Sequence, residues 1–152
     1  NKTIHLCDQN KEMIDKAIER SLDEGFYNKC NFNVAGAEIL PYEDNYFNHV
    51  FISFGFRNFS DKNQSLKEIQ RVLKPGGKFF CGTDFYTENK DTVKWAKMMK
   101  VQMHLHSKKE WKEFFKNAGF SVQTKQIKDL KGNEKWKREM GTLFIIGTKS
   151  NK

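Results

Sequence analysis

The chain has 152 residues, with 30% charged and 14% aromatic residues, phenylalanine foremost. That suits one domain with ample bulk for a core, and the absence of an 18-residue apolar run predicts no membrane-spanning helix. The net charge of +8 is concentrated in residues 77–152, which hold 17 Lys and Arg against 8 Asp and Glu. Those lysines are scattered without a dense block, so an ordinary solvated surface is expected, and a basic nucleic-acid-binding module is the lesser alternative.

Thr3–Cys7 reads as a short strand ending at Asp8, and Asn10 can cap a helix over about 11–24 with Met13, Ile14, Ala17, Ile18 and Leu22 on its apolar stripe. Gly25 is placed to follow that helix. Asn31–Ala35 reads as a second strand. Pro41 and Glu43-Asp44-Asn45 make a turn, and Tyr46–Phe54 is a third strand, apolar enough to be buried on both faces. Ser60 or Asp61 caps a helix reaching Lys74, with Leu66, Ile69, Val72 and Leu73 inward. Pro75-Gly76-Gly77 stops it and leads into the strand Lys78–Thr83.

Residues 88–103 predict a helix with Val93, Trp95, Ala96, Met99 and Met103 on one side. Ser107-Lys108-Lys109-Glu110 has capping-box spacing and opens a helix to Asn117. Phe120–Ile127 is a strand, 128–140 a charged loop, and Thr142–Thr148 the last strand. Strands alternating with helices predict an α/β sandwich with a mostly parallel sheet, closed at one edge by an antiparallel hairpin. Cys7, Cys30 and Cys81 show no C-x-x-C spacing and read as small apolar core thiols in a reducing compartment. The first residues hold no apolar leader, so a cytoplasmic setting is expected.

Two stretches stand out, the first for its chemistry and the second for the fold. Residues 53–61 read S-F-G-F-R-N-F-S-D, and residues 72–77 read V-L-K-P-G-G. With the strand ending at Asp8 and A-G-A-E-x-L-P-Y from 35 to 42, their order resembles the class I S-adenosylmethionine-dependent methyltransferases. Over about 34–84 the chain is most similar to the ubiquinone/menaquinone C-methyltransferases and their small-molecule relatives. The resemblance implies a Rossmann-like sandwich and S-adenosylmethionine as cofactor. It places Asp8, with Gln9 beside it, at the ribose; the other reading of Asp8 is a helix cap. Met13 would pack on the adenine or serve as a core methionine. Gly36-Ala37-Glu38 falls at the adenine edge, where an Ala37 amide could reach a ring nitrogen and Glu38 could simply be solvated.

Ser53 and Phe54, with the aromatics after them, would flank the methionine end, where apolar walls suit a sulfonium; plain core packing is the alternative. Arg57 and Asn58 match the family's Arg-Asn pair and imply a place at the acceptor. The competing reading pairs Arg57 with Asp61 and puts Asn58 in a turn. Tyr86, His104 and His106 are candidate acid–base groups or surface residues. V-L-K-P-G-G is structural.

The family's glycine-rich loop belongs about 20 residues ahead of Asp8, and the stretch before Asp8 does not hold it. The expectation is therefore the C-terminal part of a longer, single-domain methyltransferase lacking its first, central strand, with its sheet left in two halves. Residues 85–106 are short and lysine-rich where the quinone enzymes carry an aromatic insertion, which points to a smaller or anionic small-molecule acceptor. The rival readings are a non-catalytic subunit of the same fold that binds a protein partner, and the nucleic-acid module.

Overall fold

Asn10 ends the first strand's run: its backbone is extended, and its side-chain oxygen accepts from the Glu12 amide at 2.9 Å, starting a helix. Such choices repeat along the chain in the computed structural model, which describes residues 3–98 and 105–151. The elements are β1 (Ile4–Asp8), α1 (Lys11–Asp23), β2 (Cys30–Val34), β3 (Phe47–Ser53), α2 (Lys62–Val72), β4 (Leu73–Thr83), α3 (Lys90–Met98), α4 (Lys108–Asn117), β5 (Phe120–Ile127), α5 (Lys135–Glu139) and β6 (Thr142–Lys149). Asp61, not Ser60, caps α2, accepting from the Gln64 amide at 2.9 Å. Ser107 and Glu110 form both halves of the capping box on α4.

The strands form two sheets. β1 pairs with β2 in parallel; the other four run in the order β3-β4-β6-β5. β3 and β4 are parallel, with Ile52 opposite Cys81, and β6 runs antiparallel to both β4 and β5. β5 and β6 therefore close the larger sheet as an antiparallel hairpin, with the short helix α5 in the loop between them.

The core lies between the larger sheet and α2 and α4. Phe79 stacks on Phe115 with ring centres 5.0 Å apart, and Leu66, Trp111, Leu143 and Ile145 are fully or almost fully buried around them. Each such side chain contributes about 1.5–3 kcal/mol by burial. Alternation decides the partition: Phe79 and Cys81 face the helices, while Phe80 turns to the other face, where it stacks on Phe51 at 4.8 Å.

Several expectations need correction. β3 is not buried on both faces: Phe51 is 71% exposed, because no helix covers that face of the sheet at the β3 edge among the described residues. In α1 only Ile14 of the apolar stripe is buried, and Met13 and Leu22 lie exposed, because the two-stranded sheet beneath is too narrow to cover them. Cys81 is a core thiol, but Cys7 is exposed and Cys30 half-buried. The charged loop contains α5, which forms to bury Trp136 edge-on against Trp95. The predicted 88–103 helix is described as far as Met98; Met99, Met103, His104 and the side chain of Ala96 lie outside the described residues.

The basic half spends lysines on short-range pairs along its helices, among them Lys137–Glu134 at 2.7 Å and Lys135–Glu139 at 3.7 Å. Exposed pairs of this kind contribute little each, and they fit an ordinary solvated surface. Among the described residues no helix is long and apolar enough to cross a membrane.

One buried-edge network ties the 40–44 loop to α2. Arg71 donates to the carbonyls of Tyr42 (2.8 Å) and Leu40 (3.1 Å) and to the carboxylates of Glu68 and Asp44 (both 2.8 Å). Glu68 accepts from the Leu40 amide at 2.9 Å, and the Arg71 guanidinium holds its carboxyl below the usual range. Arg71→Met leaves two carbonyls and a half-buried carboxylate short of donors. It is expected to lower the urea unfolding free energy by about 3 kcal/mol; a loss under about 1 kcal/mol would show the network to be incidental.

Candidate functional site

In sheets with parallel strands, ligands collect beyond the carboxyl ends. Asp8, Gly36, Ser53 and Asp84 all stand at or just past such ends here. Between the two sheets, β1 and β3 line a cleft of about 1470 Å³. Its walls include Asp8, Gln9, Gly36, Ala37, Glu38, Ser53 and Asn58. At the opposite end the His5 ring spans the gap, meeting Tyr42, Tyr46 and Phe47 edge-on at 5.2–5.4 Å.

Asp8 is not the helix cap; Asn10 is. One Asp8 carboxylate oxygen accepts from the Asn10 amide at 2.8 Å, and the other has no partner among the described residues. The Ala35 amide donates to the Asp8 carbonyl at 3.1 Å, which holds the ends of β1 and β2 level. Beyond them the chain turns at Gly36, whose carbonyl takes the Ile39 amide at 3.3 Å. The Ala37 amide has no acceptor among the described residues. Glu38 faces the start of α2: its carboxylate accepts from the Ser60 and Asp61 amides at 3.1 and 3.3 Å, where a helix N-terminus favours negative charge. Gln9 is exposed on the cleft wall. Met13 is absent from that wall, half its surface lying in solvent.

At the end of β3, Phe54 adopts φ +60°, a left-handed conformation in which a bulky residue is strained, and its amide is pinned to the Gly82 carbonyl at 2.9 Å. Strain of that kind concentrates at ligand sites. Phe54 is not part of the cleft wall but lines a second, apolar groove with Ser53. Phe56, by contrast, is core, 1% exposed. Arg57 is not paired with Asp61, which is occupied in capping α2. Its guanidinium lies 4.3 Å over the Phe85 ring and makes no ion pair among the described residues. Asn58 closes the short turn after β3, its amide donating to the Gly55 carbonyl at 2.9 Å, with its side chain on the cleft.

Tyr86 is fully buried, donates to the Gly141 carbonyl at 3.0 Å and accepts from Gln126 at 3.2 Å. Burial pushes its phenol up, so it is a clamp between β4 and the hairpin and not an exposed acid or base. His106 packs edge-on against Phe114 at 4.8 Å. Asp84 escaped the sequence reading. The available signal was its position, a carboxylate immediately past the last residue of β4.

This arrangement is that of a Rossmann-like methyltransferase. A chain solved in the complex between the Haloferax volcanii Trm112 methyltransferase activator and a methyltransferase superposes with a TM-score of 0.85 at 26% identity, covering 98% of this chain and 73% of that one. A SAM-dependent methyltransferase from Methanosarcina mazei gives a TM-score of 0.73 at 18% identity over 99% of this chain and 83% of that one.

The chain belongs to the ubiE/COQ5 methyltransferase family, whose pattern matches residues 1–94. It is 47% identical over 81 residues to the ubiquinone/menaquinone biosynthesis C-methyltransferase UbiE of Rickettsia akari, a stretch covering 53% of this chain and 33% of that protein. The Rickettsia prowazekii protein of the same description matches at the same identity and coverage. The matched stretch thus spans about a third of the length of these relatives.

Proposed function

We propose that this chain forms the acceptor side and part of the cofactor side of a methyltransferase that moves a methyl group from S-adenosylmethionine to a small molecule. The observation that carries this reading is the convergence in one cleft of three features at strand ends: a carboxylate oxygen of Asp8 without a partner, an Ala37 amide without an acceptor, and Ser53 with Asn58 opposite. These fit a nucleoside sulfonium in chemistry. Asp8 accepts from the ribose hydroxyls, Gln9 borders them, and the Ala37 amide donates to the adenine edge, with Gly36 leaving it room. Glu38 shapes this loop from its anchorage on α2. Met13 reaches the adenine only if its side chain swings off the helix surface.

When bound, the cofactor supplies an activated methyl group, and the protein's main task is alignment of donor and acceptor. Ser53 borders the methionine end, whereas Phe54, on the neighbouring groove, reaches it only if its side chain turns towards the cleft. Asn58 and Arg57 receive the acceptor, the guanidinium held in place by Phe85 and its charge left for an anionic oxygen. The short, lysine-rich stretch 85–106 and the Arg57 guanidinium support a small or anionic acceptor.

The cleft is also bordered by strand edges, β1 on one side and β3 on the other, both parallel-pairing. A single domain results if one further strand pairs with both, and that strand's following loop would bring backbone amides to the cofactor. The test is calorimetric titration of S-adenosylhomocysteine into the 152-residue chain and into the full natural chain. Binding to the full chain and at least about tenfold weaker binding to the 152-residue chain is expected. Binding to neither would leave the partner-binding subunit as the better account. In the full chain, Arg57→Ala is expected to leave this affinity within about twofold while lowering turnover about a hundredfold, as for loss of one donor that stabilises developing charge.

A further inference from the structure

Asp84 stands at the carboxyl end of β4, and its backbone is fixed from several sides. Its carbonyl accepts from Thr92 Oγ1 at 2.7 Å and from Asn89 Nδ2 at 3.1 Å, and both donors belong to fully buried residues. Next to it the Phe85 amide donates to Thr83 Oγ1 at 3.2 Å. The Asp84 carboxylate itself is half-buried, accepts from Thr142 Oγ1 at 2.5 Å, and makes no ion pair among the described residues. Thr142, its donor, also lines the apolar groove of about 240 Å³ that Ser53 and Phe54 border, which links the carboxylate to that groove through one side chain.

The charged and titratable groups acting on it come from several elements. Arg57 in the turn after β3 and Lys137 on α5 favour its ionised form, whereas Glu134 just ahead of α5 opposes it. The Tyr86 phenol, two residues on, also feels its charge. Loss of solvent is the largest influence and holds its carboxyl above the ordinary range. Arg57 lies flat on Phe85 instead of pairing with it. Arg57, seated on the ring of the residue next to Asp84, thus lies near the carboxylate without an ion pair to it, so an acceptor that reaches the end of β4 can engage both.

We propose that Asp84 is a catalytic base here, taking the proton from an acidic hydroxyl of the methyl acceptor while Arg57 receives the resulting oxyanion. This rests on the methyl-transfer reading above. The acceptor O–H bond breaks, its proton joins the Asp84 carboxylate, and its electron pair stays on the acceptor. That pair, directly or through a conjugated carbon, forms the new bond to the methyl carbon, while the methyl–sulfur bond breaks and its electrons remain on sulfur. The proton then leaves to water. A rigid carboxylate that resists ionisation is a stronger base than a solvated one, and a neighbouring guanidinium favours the charge it creates.

The test uses the full natural chain saturated with S-adenosylhomocysteine and titrated with 4-nitrocatechol, whose absorbance reports its ionisation. Wild type is expected to bind the probe as its anion at a pH where the free probe is protonated. Asp84→Asn is expected to weaken binding at least about tenfold and abolish the spectral shift, with S-adenosylhomocysteine affinity unchanged. Asp84→Glu is expected to restore the shift, and matched thermal melts confirm that both variants fold. If wild type fails to bind the anion, or Asp84→Asn keeps its affinity and spectrum, the proposal is overturned. Failure of wild type to bind S-adenosylhomocysteine is a separate result and strikes the methyl-transfer reading instead.

Discussion

Gly141→Ala is expected to destabilise the chain by about 4 kcal/mol, enough to remove much of a typical domain's margin. Gly141 has φ +67°, where a Cβ costs about 1–2 kcal/mol. The larger part is spatial. A Cβ built there runs into the Ile127 carbonyl and lies 3.0 Å from the Lys128 Cα, so backbone and not a flexible side chain must yield. Forcing such a shift adds about 1–3 kcal/mol. The damage spreads, because the Gly141 carbonyl is the acceptor for Tyr86 and Thr142 beside it holds Asp84. Urea unfolding measures the effect. A loss below about 1 kcal/mol would mean that the β5–β6 connection is far more pliable than its contacts indicate.

The second large effect concerns ligand and not stability. Asp8→Ala, made in the full natural chain, is expected to weaken S-adenosylhomocysteine binding about a hundredfold, with little change in melting temperature. Asp8 is exposed and gives the fold a single side-chain hydrogen bond, to the Asn10 amide, so its removal costs folding under about 1 kcal/mol. Two charge-assisted bonds to a ribose are together worth about 3 kcal/mol, which is the hundredfold. Asp8→Asn, which keeps an acceptor without the charge, should fall between. Calorimetry decides, and an alanine variant within about threefold of wild type would remove Asp8 from the ribose site.

The sequence carries the elements with strong local signals. The Ser107–Glu110 box and the caps at Asn10 and Asp61 announce their helices because side-chain oxygens and orphan amides pair at fixed spacing. Pro75-Gly76-Gly77 reads as the stop of a helix at Lys74 and the opening of a strand at Lys78, but α2 already ends at Val72 and β4 begins at Leu73, so the triplet lies inside the strand, where Gly76 adopts φ +73° and the pairing with β3 shifts register. Burial was harder to read, since it depends on what lies across from a residue. Phe51 has the composition of a doubly covered strand, yet the face it presents carries no helix there. Trp136 gave no periodic signal, because a five-residue helix buries one residue by packing on a distant segment. The site follows the same rule. Position at strand ends pointed to Asp8 and Ser53, and the resemblance to the family's Arg-Asn pair to Asn58; all three share the cleft wall. The anchorage of Glu38 on α2, the perch of Arg57 on Phe85 and the Thr142 bond to Asp84 are contacts between residues 22–58 positions apart or brought together by the sheet. No local pattern encodes them.

The division into two sheets has a dynamic consequence. The continuous core draws on β3, β4, β5, β6 and the helices packed on them; the β1–α1–β2 unit contributes none of it, and its one buried apolar side chain is Ile14. Amides of β1 and β2 should therefore exchange with solvent through a cheaper local opening than those of β4 and β6. If the proposed site is right, a nucleoside gripped by Asp8 on one unit and Ser53 on the other would act as a strut between them. Part of its binding free energy would then go into docking the smaller unit, and ligand should slow the exchange of the β1 and β2 amides.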